Sequence, residues 1–271
     1  MRVVVCAREV LDPDAVSNYV LEGKLEIGED GRSVVNATIP RLMNAYDEQA
    51  LEAALRLKDD DESVTVDVVS LGSDSADILK HAAAMGADGI FHLAADPADL
   101  DCSAIGRLLG AWVGNSGGAQ LVLCGRQASD DDQGVVPAVL AEALSLPLVT
   151  IARDVAVAGE GWKVIRATPD GDETVQVDGG AVVTISNELG DPRYPTMSNK
   201  MKARRRTAET VEPSSLGLSA EELAPCVVMT STSVPELHGQ CEFIEGGSVD
   251  EQAAALVARL RQDKAIAGGS A

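Results

Sequence analysis

The feature that most constrains the fold of this chain is a regular alternation of short apolar runs with amphipathic segments. Apolar runs at residues 3–6, 64–69, 89–93 and 120–124 alternate with helical patterns at residues 47–58, 74–85, 103–113 and 134–144. Short continuous apolar runs are typical of strands buried on both faces, and strands that alternate with helices form parallel sheets. We therefore predict an α/β fold with a doubly wound parallel sheet. Its ligand should bind at the carboxyl ends of the strands, near the loops after Cys6, Val69 and Cys124.

The second half of the chain departs from this alternation. Asp170-Gly171 lies between apolar stretches and predicts a β-hairpin, as Asp30-Gly31 does nearer the amino terminus. A buried strand follows at residues 181–186, and the absence of periodicity over residues 187–213 predicts a long loop or arm. Ser248 to Glu251 form a capping box before a helix at residues 252–263. We predict an α/β domain over residues 1–190, and a loop and C-terminal arm ending in a helix over residues 191–271.

The charge balance and the cysteines narrow the classes of partner and the compartment. With a formal net charge of −21 and a sequence pI near 4.4, the chain would repel nucleic acid and anionic membranes. No signal peptide precedes the first strand and no apolar run could span a bilayer, so we expect a cytoplasmic protein without membrane insertion. Five widely spaced cysteines favour a reducing compartment, and neither they nor the three histidines show metal-ligand spacing.

The segment from Gly125 to Pro137 follows a predicted strand and opens a predicted helix. Backbone N–H groups at a helix amino terminus favour anions, and Gly134 would let a phosphate approach closely. The consecutive aspartates Asp130 to Asp132 would repel a phosphate, and would more naturally cap the helix, favour its dipole or hydrogen-bond a ribose. From the residues alone, a phosphate cradle and an ordinary acidic helix cap remain open alternatives.

The segment from Asn44 to Glu48 directly precedes an amphipathic helix. Asn44 and Asp47 are natural capping residues, so a helix start explains them without any ligand. Tyr46 is one of only three tyrosines, and an exposed tyrosine at a helix start could stack on a ring.

Residues 191–206 combine two prolines, Tyr194 and Met197 with a cluster of positive charge. Five of the 22 basic residues fall between residues 200 and 206 of this acidic chain. A basic cluster beside exposed apolar side chains indicates a docking arm, whereas a solvated charge run is the alternative.

Together these segments resemble the electron transfer flavoprotein beta subunit family, FixA-type proteins included. The resemblance runs in order through residues 3–10, 44–58, 84–88, 125–127, 191–206 and 244–246 with the helix that follows. It implies an adenine-nucleotide-hydrolase-like fold with a β-hairpin addition, paired with an alpha subunit that holds most of the redox-active FAD. The C-terminal helix would pack on that subunit. This chain would bind AMP, or a second FAD as in electron-bifurcating relatives.

The resemblance also implies which residues form each site. The AMP site would comprise Cys6, Asn44, Ala45, Tyr46, Asp47, Leu71, Gly125, Arg126, Gln127, Ala128, Ser129, Asp130, Asp131, Asp132, Gln133, Gly134, Val135 and Val136. Tyr46 would lie against the flavin of the alpha subunit. A dehydrogenase would dock on Arg193, Tyr194, Met197, Lys200, Lys202 and Arg205, with Met197 as the apolar anchor. No catalytic residue and no metal site is expected.

The implied function is that of an electron carrier and not an enzyme. Electrons would pass from an acyl-CoA or related dehydrogenase to a quinone oxidoreductase or another acceptor. Two departures from the family leave AMP favoured but a second FAD open. Asn44-Ala45 stands where many relatives have Asn-Pro, and the stretch from Asp130 to Pro137 matches neither the bifurcating nor the AMP-binding pattern. A stand-alone ATP-binding or ATP-hydrolysing protein of the same fold is the alternative, and a scaffold without nucleotide is a third possibility.

Overall fold

The computed structural model of the chain describes residues 1–235 and 241–265. Within them the strands are β1 (Arg2–Cys6), β2 (Glu9–Leu11), β3 (Arg41–Met43), β4 (Thr65–Gly72), β5 (Gly89–Ala94), β6 (Leu121–Gly125), β7 (Leu148–Ala158), β8 (Gly161–Thr168), β9 (Gly171–Asp178), β10 (Ala181–Ile185) and β11 (Glu209–Val211). The helices are α1 (Pro13–Leu21), α2 (Ala45–Asp60), α3 (Ala76–Met85), α4 (Cys102–Asn115), α5 (Val136–Leu144), α6 (Met197–Ala203) and α7 (Val249–Gln262). In the described ranges, no helix combines the length and the apolar character that crossing a membrane requires.

One large sheet organises the fold, with the strand order β11-β5-β4-β1-β6-β10-β7-β8-β9. The strands from β11 to β7 pair in parallel, and β8 and β9 extend the β7 edge in antiparallel fashion. The chain starts with β1 at the centre, builds outward through β4 and β5, and then returns to β6 on the other side of β1. This reversal is a topological switch point, where sheets of this class bind ligands. The predicted doubly wound α/β fold is confirmed.

Helices cover both faces of the sheet because successive residues of a buried strand point to opposite sides. Val3 and Val5 belong to the core cluster that also contains the buried residues of α2 and α3. Val4 and Cys6 belong to the second cluster, together with the buried residues of α4 and α5. The continuous apolar runs of the sequence thus mark strands that are covered on both faces, as predicted.

The two hairpin predictions have different outcomes. Asp170-Gly171 is confirmed, since it connects β8 to β9 in an eight-residue antiparallel pairing. Asp30-Gly31 is not, because its flanks form only the isolated bridge between Ile27 and Val34. The Asp30 carboxylate accepts hydrogen bonds from the backbone N–H groups of Arg32 and Ser33, so the turn forms locally. The mostly exposed flanks have no face to bury, and a ladder therefore does not extend from it.

The prediction of a long irregular loop over residues 187–213 is wrong in part. Helix α6 lies in this segment and packs against α3, and β11 pairs in parallel with β5 at the edge of the main sheet. A helix of seven residues is too short to show periodicity, and a strand of three residues leaves no alternation to detect. The part of the predicted arm before the C-terminal segment therefore has regular structure of its own.

By its packing the chain divides into two units, Met1–Val234 and Pro235–Ala271. The first unit contains the whole sheet and extends beyond residue 190, so residues 191–234 fold with the α/β unit. The second unit contains α7, which Ser248 caps by accepting a hydrogen bond from the backbone N–H of Glu251. The predicted C-terminal helix is confirmed, although it begins at Val249. The capping box is confirmed only for Ser248, because the Glu251 carboxylate accepts from the backbone N–H of Gly247 (2.8 Å), one residue before the N-cap. The assignment of a separate partner-binding role to residues 191–271 stays a prediction.

Candidate functional site

Three loops meet where the central strands end. In the sheet, β1 lies between β4 and β6, with Cys6 opposite Val69 and Val5 opposite Leu123. The carboxyl ends of these parallel strands therefore lie side by side, and the segments after them converge at one edge of the sheet. The predicted site residues Cys6 and Leu71 lie at this edge, as does the loop that starts at Gly125.

Asp47, in the first turn of α2, ties two of these loops together. Its carboxylate is buried and accepts hydrogen bonds from the backbone N–H of Arg8 (2.8 Å) and of Gly125 (2.8 Å). Burial raises the pKa of Asp47 to about 6, although the two backbone hydrogen bonds, the Asn44 side chain and the Arg8 charge all act to lower it. The side chain predicted as a helix cap therefore connects the end of β1 to the end of β6.

Asn44 reaches the same loop from one turn earlier. Its Nδ2 donates to the carbonyl of Gln127 (2.9 Å), and its Oδ1 accepts from the backbone N–H of Ser129 (3.0 Å). Asn44 occupies the N-cap position of α2, but its side chain makes no capping hydrogen bond. The sequence thus placed Asn44 correctly at the helix start, but the side chain binds the loop and not the helix.

The two glycines of the loop allow close contacts within the protein itself. A Cβ on Gly125 would lie 2.5 Å from Asp47 Oδ1 and 2.6 Å from Tyr46 Cβ, so only glycine lets α2 pack here. A Cβ on Gly134 would lie 2.6 Å from the carbonyl oxygen of Arg126. Gly134 was predicted to admit a phosphate. In the structure, its lack of a side chain is required by the fold of the loop.

The three consecutive aspartates are neutralised or bound within the protein. Arg8 pairs with Asp130 at 2.9 Å and with Asp131 at 3.2 Å, and Asp132 Oδ1 accepts from Gln127 Nε2 at 2.7 Å. Burial, with the neighbouring Asp131 charge, raises the pKa of Asp130 against the lowering effect of Arg8. The expectation that these residues cap the following helix is wrong, because α5 starts at Val136 and no side chain caps it.

The amino terminus of α5 is available to an anion. The backbone N–H groups of Gly134, Val135 and Val136 find no acceptor among residues 1–235 and 241–265. Unpaired N–H groups at a helix start favour a negatively charged group, and Arg8 offsets part of the opposing aspartate charge. The unpaired N–H groups before α5 therefore form a candidate anion site beside the carboxyl ends of the central strands.

Tyr46 is half-buried at the start of α2, and its ring is not free on all sides. The guanidinium carbon of Arg126 lies 5.2 Å from the centre of the Tyr46 ring, a cation–π contact. Arg126 also donates to the Gln127 side chain (3.1 Å) and to the hydroxyl of Ser186 (3.3 Å). The structure thus joins Tyr46 to the loop through Arg126.

The predicted docking residues lie on and around α6. Tyr194, Met197 and Met201 are exposed, and the exposed fractions of Tyr194 and Met197 are 83% and 70%. Lys200 Nζ lies 4.0 Å from the centre of the Tyr194 ring and donates to its hydroxyl. A shallow hollow of about 490 Å³ beside them is lined by Ser198, Met201, Lys202 and Arg205. This surface combines exposed apolar groups with positive charge.

Arg193 differs from the other predicted docking residues because its guanidinium binds inside the protein. It pairs with the buried carboxylate of Glu52 at 2.7 Å and with Asp59 at 2.7 Å. Neither Glu52 nor the role of Arg8 as the partner of the aspartates was predicted from the sequence. The available signal for Arg8 was a basic residue two positions after the end of β1, in a chain of net charge −21. No local pattern pointed to Glu52.

Comparisons with known proteins cover most of the chain. Residues 33–216 match the electron transfer flavoprotein domain. The caffeyl-CoA reductase-Etf complex subunit CarD of Acetobacterium woodii is 32% identical, over 98% of this chain and 100% of that protein. The electron transfer flavoprotein subunit beta of Megasphaera elsdenii is 32% identical, over 88% of this chain and 90% of that protein. The human electron transfer flavoprotein subunit beta is 34% identical, over 80% and 84% respectively.

Proposed function

Because the chain belongs to the electron transfer flavoprotein beta subunit family, we propose that it forms a heterodimer with an alpha subunit and carries electrons between a dehydrogenase and an acceptor. The donor would be an acyl-CoA or related dehydrogenase, and the acceptor a quinone oxidoreductase or another redox protein. The observation that carries this proposal is the domain match over residues 33–216, which includes Asn44, Asp47, the loop from Gly125 to Val135 and α6. Together with Cys6 and Arg8, the first three form what we call the loop cluster. The name of one relative, a subunit of a caffeyl-CoA reductase complex, supports a partner that acts on CoA thioesters.

The proposed cofactors are FAD, shared with the alpha subunit, and AMP in this chain. Gly134, Val135 and Val136 would hold the AMP phosphate through their backbone N–H groups, and Asn44 and Asp47 would keep the loop in position. Bound FAD supplies reversible electron uptake and release. Tyr46 and Arg126 would lie beside the flavin, where they can exclude water and fix one side of its pocket. A second FAD in place of AMP would occupy the same loop.

The remaining features support a carrier in a reducing compartment. All five cysteines are free, which suits the cytoplasm. In the proposed assembly, α7 would pack on the alpha subunit and the exposed face of α6 would bind the donor. No residue of this chain is assigned a catalytic step. Its side chains bind, orient and shield the redox groups.

Co-expression with an alpha-type subunit tests the proposal directly. We expect a yellow heterodimer with one FAD, and mass spectrometry of the denatured protein should show one AMP per heterodimer. More than one FAD per heterodimer would overturn the AMP assignment. A colourless monomer that hydrolyses ATP would contradict the carrier function and favour the stand-alone alternative.

Met197→Ala tests the docking surface. Met197 is an exposed side chain on a short helix, and interface anchors of this kind contribute about 1–2 kcal/mol or more. We expect kcat/KM for flavin reduction by an acyl-CoA dehydrogenase to fall about tenfold, because about 1.4 kcal/mol corresponds to a factor of ten. Val157→Ala, at an exposed position on β7, is the control and should leave transfer unchanged. An unaltered rate for Met197→Ala would remove the docking role.

A further inference from the structure

The segment that carries the docking residues is held at its start by one arginine. Arg193 donates from Nε to Glu52 Oε2 (2.7 Å) and from Nη2 to Glu52 Oε1 (3.2 Å), and its backbone N–H donates to Oε2 (3.1 Å). The other edge of the guanidinium donates to the Asp59 carboxylate at 2.7 and 3.3 Å. Five hydrogen bonds therefore fix this residue on α2. A guanidinium engaged by two carboxylates has no free edge to offer to a partner.

The Glu52 carboxylate that binds Arg193 is buried, which is unusual for a glutamate. Its side chain is only 6% exposed, and it accepts a further hydrogen bond from Arg56 Nε at 3.0 Å. Arg56 in turn donates to the carbonyl of Leu189 (3.1 Å), four residues before Arg193. The carboxylate is buried while its two arginine partners are partly exposed, and moving either arginine away would leave the buried charge with only one of its two partners.

A second arginine holds the other end of the same segment. Arg206 donates from Nη1 to the carbonyl of Ala87 at 2.7 Å and from Nη2 to the carbonyl of Asp88, in the turn between α3 and β5. Between the two anchors, α6 buries Ala203 and packs against α3. The basic residues of this region thus divide into two groups. Arg193 and Arg206 bind inward, whereas Lys202 and Arg205 line the outer hollow.

We propose that Arg193 and Arg206 are positioning residues for electron transfer, which fix both ends of residues 194–205 so that Met197 meets the donor in one orientation. A helix of seven residues is not stable alone, so without the anchors its order would have to be acquired during docking. Ordering it in advance removes that part of the association cost. This inference rests on the proposed function. It assigns Arg193 an indirect role in place of direct contact with the dehydrogenase.

Glu52→Gln separates the two roles because Glu52 is too deeply buried to touch a partner. If Arg193 contacted the dehydrogenase by its charge, weakening its bond to Glu52 would free it, and docking would improve or stay the same. If Arg193 positions the segment, kcat/KM for the heterodimer with a reduced acyl-CoA dehydrogenase should fall about 10- to 100-fold, mainly through KM, because small misplacements have effects of this size. The salt dependence should match the wild type, since the outward charges are intact.

Two further variants keep the test decisive. Asp59→Asn removes the charge of the exposed carboxylate that binds Arg193 and leaves no buried charge without a partner. We expect a smaller fall in kcat/KM, again mainly through KM. Asp172→Asn breaks a similar Arg–Asp pair, Arg153 with Asp172, on the exposed hairpin, and should change nothing. Reduction of the flavin by dithionite should be unchanged in all three, which distinguishes positioning from general loss of structure.

Each outcome has a defined meaning. If Met197→Ala slows transfer but Glu52→Gln and Asp59→Asn behave as wild type, the positioning role is overturned and the docking surface stands. If Met197→Ala also has no effect, the proposed docking function itself is wrong. If Glu52→Gln does not assemble, Asp59→Asn decides: a raised KM with normal dithionite reduction supports the proposal, and wild-type kinetics overturn it.

Discussion

Helix α2 supports two regions of the molecule through two buried carboxylates that are held in opposite ways. At its amino end, Asp47 is bound by backbone N–H groups, and burial raises its pKa to about 6. Near its middle, Glu52 is buried as well, but the hydrogen bonds and charges of Arg193 and Arg56 outweigh burial and lower its pKa. At Asp47, burial outweighs the hydrogen bonds and the more distant Arg8 charge, whereas at Glu52 the direct hydrogen bonds from two guanidinium groups outweigh burial. The helix thus carries a carboxylate with a raised pKa at the loops of the strand ends, and an ion-paired carboxylate with a lowered pKa beneath the segment proposed for docking.

The two regions also differ in what they present to solvent. In the loop cluster, the two side chains that hold the loops together, Asn44 and Asp47, are almost fully buried. The proposed docking segment, residues 193–206, exposes the large side chains of Tyr194 and Met197 together with outward basic residues, and only the arginines at its two ends bind inward. A ligand pocket needs fixed backbone groups, while a transient protein contact needs an accessible apolar anchor. We expect substitutions in the loop cluster to affect stability, and those in the docking segment to affect association.

The largest expected effect is that of Asp47→Ala. The substitution leaves the buried N–H groups of Arg8 and Gly125 without their acceptor, and each unsatisfied group costs about 1–3 kcal/mol. We predict that the free energy of unfolding of the heterodimer falls by about 2–6 kcal/mol, measured by urea denaturation. Asp14→Ala, at an exposed position in the first turn of α1, is the control. A loss below 1 kcal/mol would show that the hydrogen bonds of Asp47 do not hold the two loops together.

The second prediction compares how the stability contributions of Asp47 and Glu52 depend on pH. Because the pKa of Asp47 is raised from 3.8 to about 6, the folded state binds its proton more tightly. Its contribution to stability therefore decreases as pH rises from about 4 to about 6, by up to about 1.4 kcal/mol per pH unit. The lowered pKa of Glu52 has the opposite sign: its contribution is present above the ordinary value of 4.5 and is lost as pH falls through the lower folded-state pKa.

Neutral variants isolate the two contributions. Relative to wild type, Asp47→Asn should remove the decrease in stability between about pH 4 and 6, and Glu52→Gln should remove the loss at lower pH. Urea denaturation of the heterodimer at a series of pH values measures both. The same pH dependence in wild type and Asp47→Asn would mean that Asp47 remains ionised throughout the range, and the contrast between the two carboxylates would fail.

The difference between the regions also explains what the sequence could predict. The central strands of the sheet and the helices that cover them were predictable because their burial repeats over four or more residues, as in β1 and α2. The contacts that build the sites were not, because they join distant parts of the chain. Asp47 and Gly125 are 78 residues apart, and Arg193 and Glu52 are 141 apart. Asn44 and Asp47 could be recognised as polar residues at a helix start, but their true partners come from the tertiary fold.

The smallest expected effect is that of two glycine substitutions. They test whether the backbone of the loop around Gly134 is rigid. A Cβ at Gly134 would meet the Arg126 carbonyl at 2.6 Å, so Gly134→Ala must displace backbone. We predict a loss of about 1–3 kcal/mol and release of the nucleotide on gel filtration. Gly114, inside α4, has open space around it, and Gly114→Ala should instead raise stability by about 0.5–1 kcal/mol with the nucleotide retained. If the Gly134→Ala variant retains the proposed AMP and its stability, the backbone of the loop can adjust. The rigidity of this region would then come only from the contacts of Asn44 and Asp47.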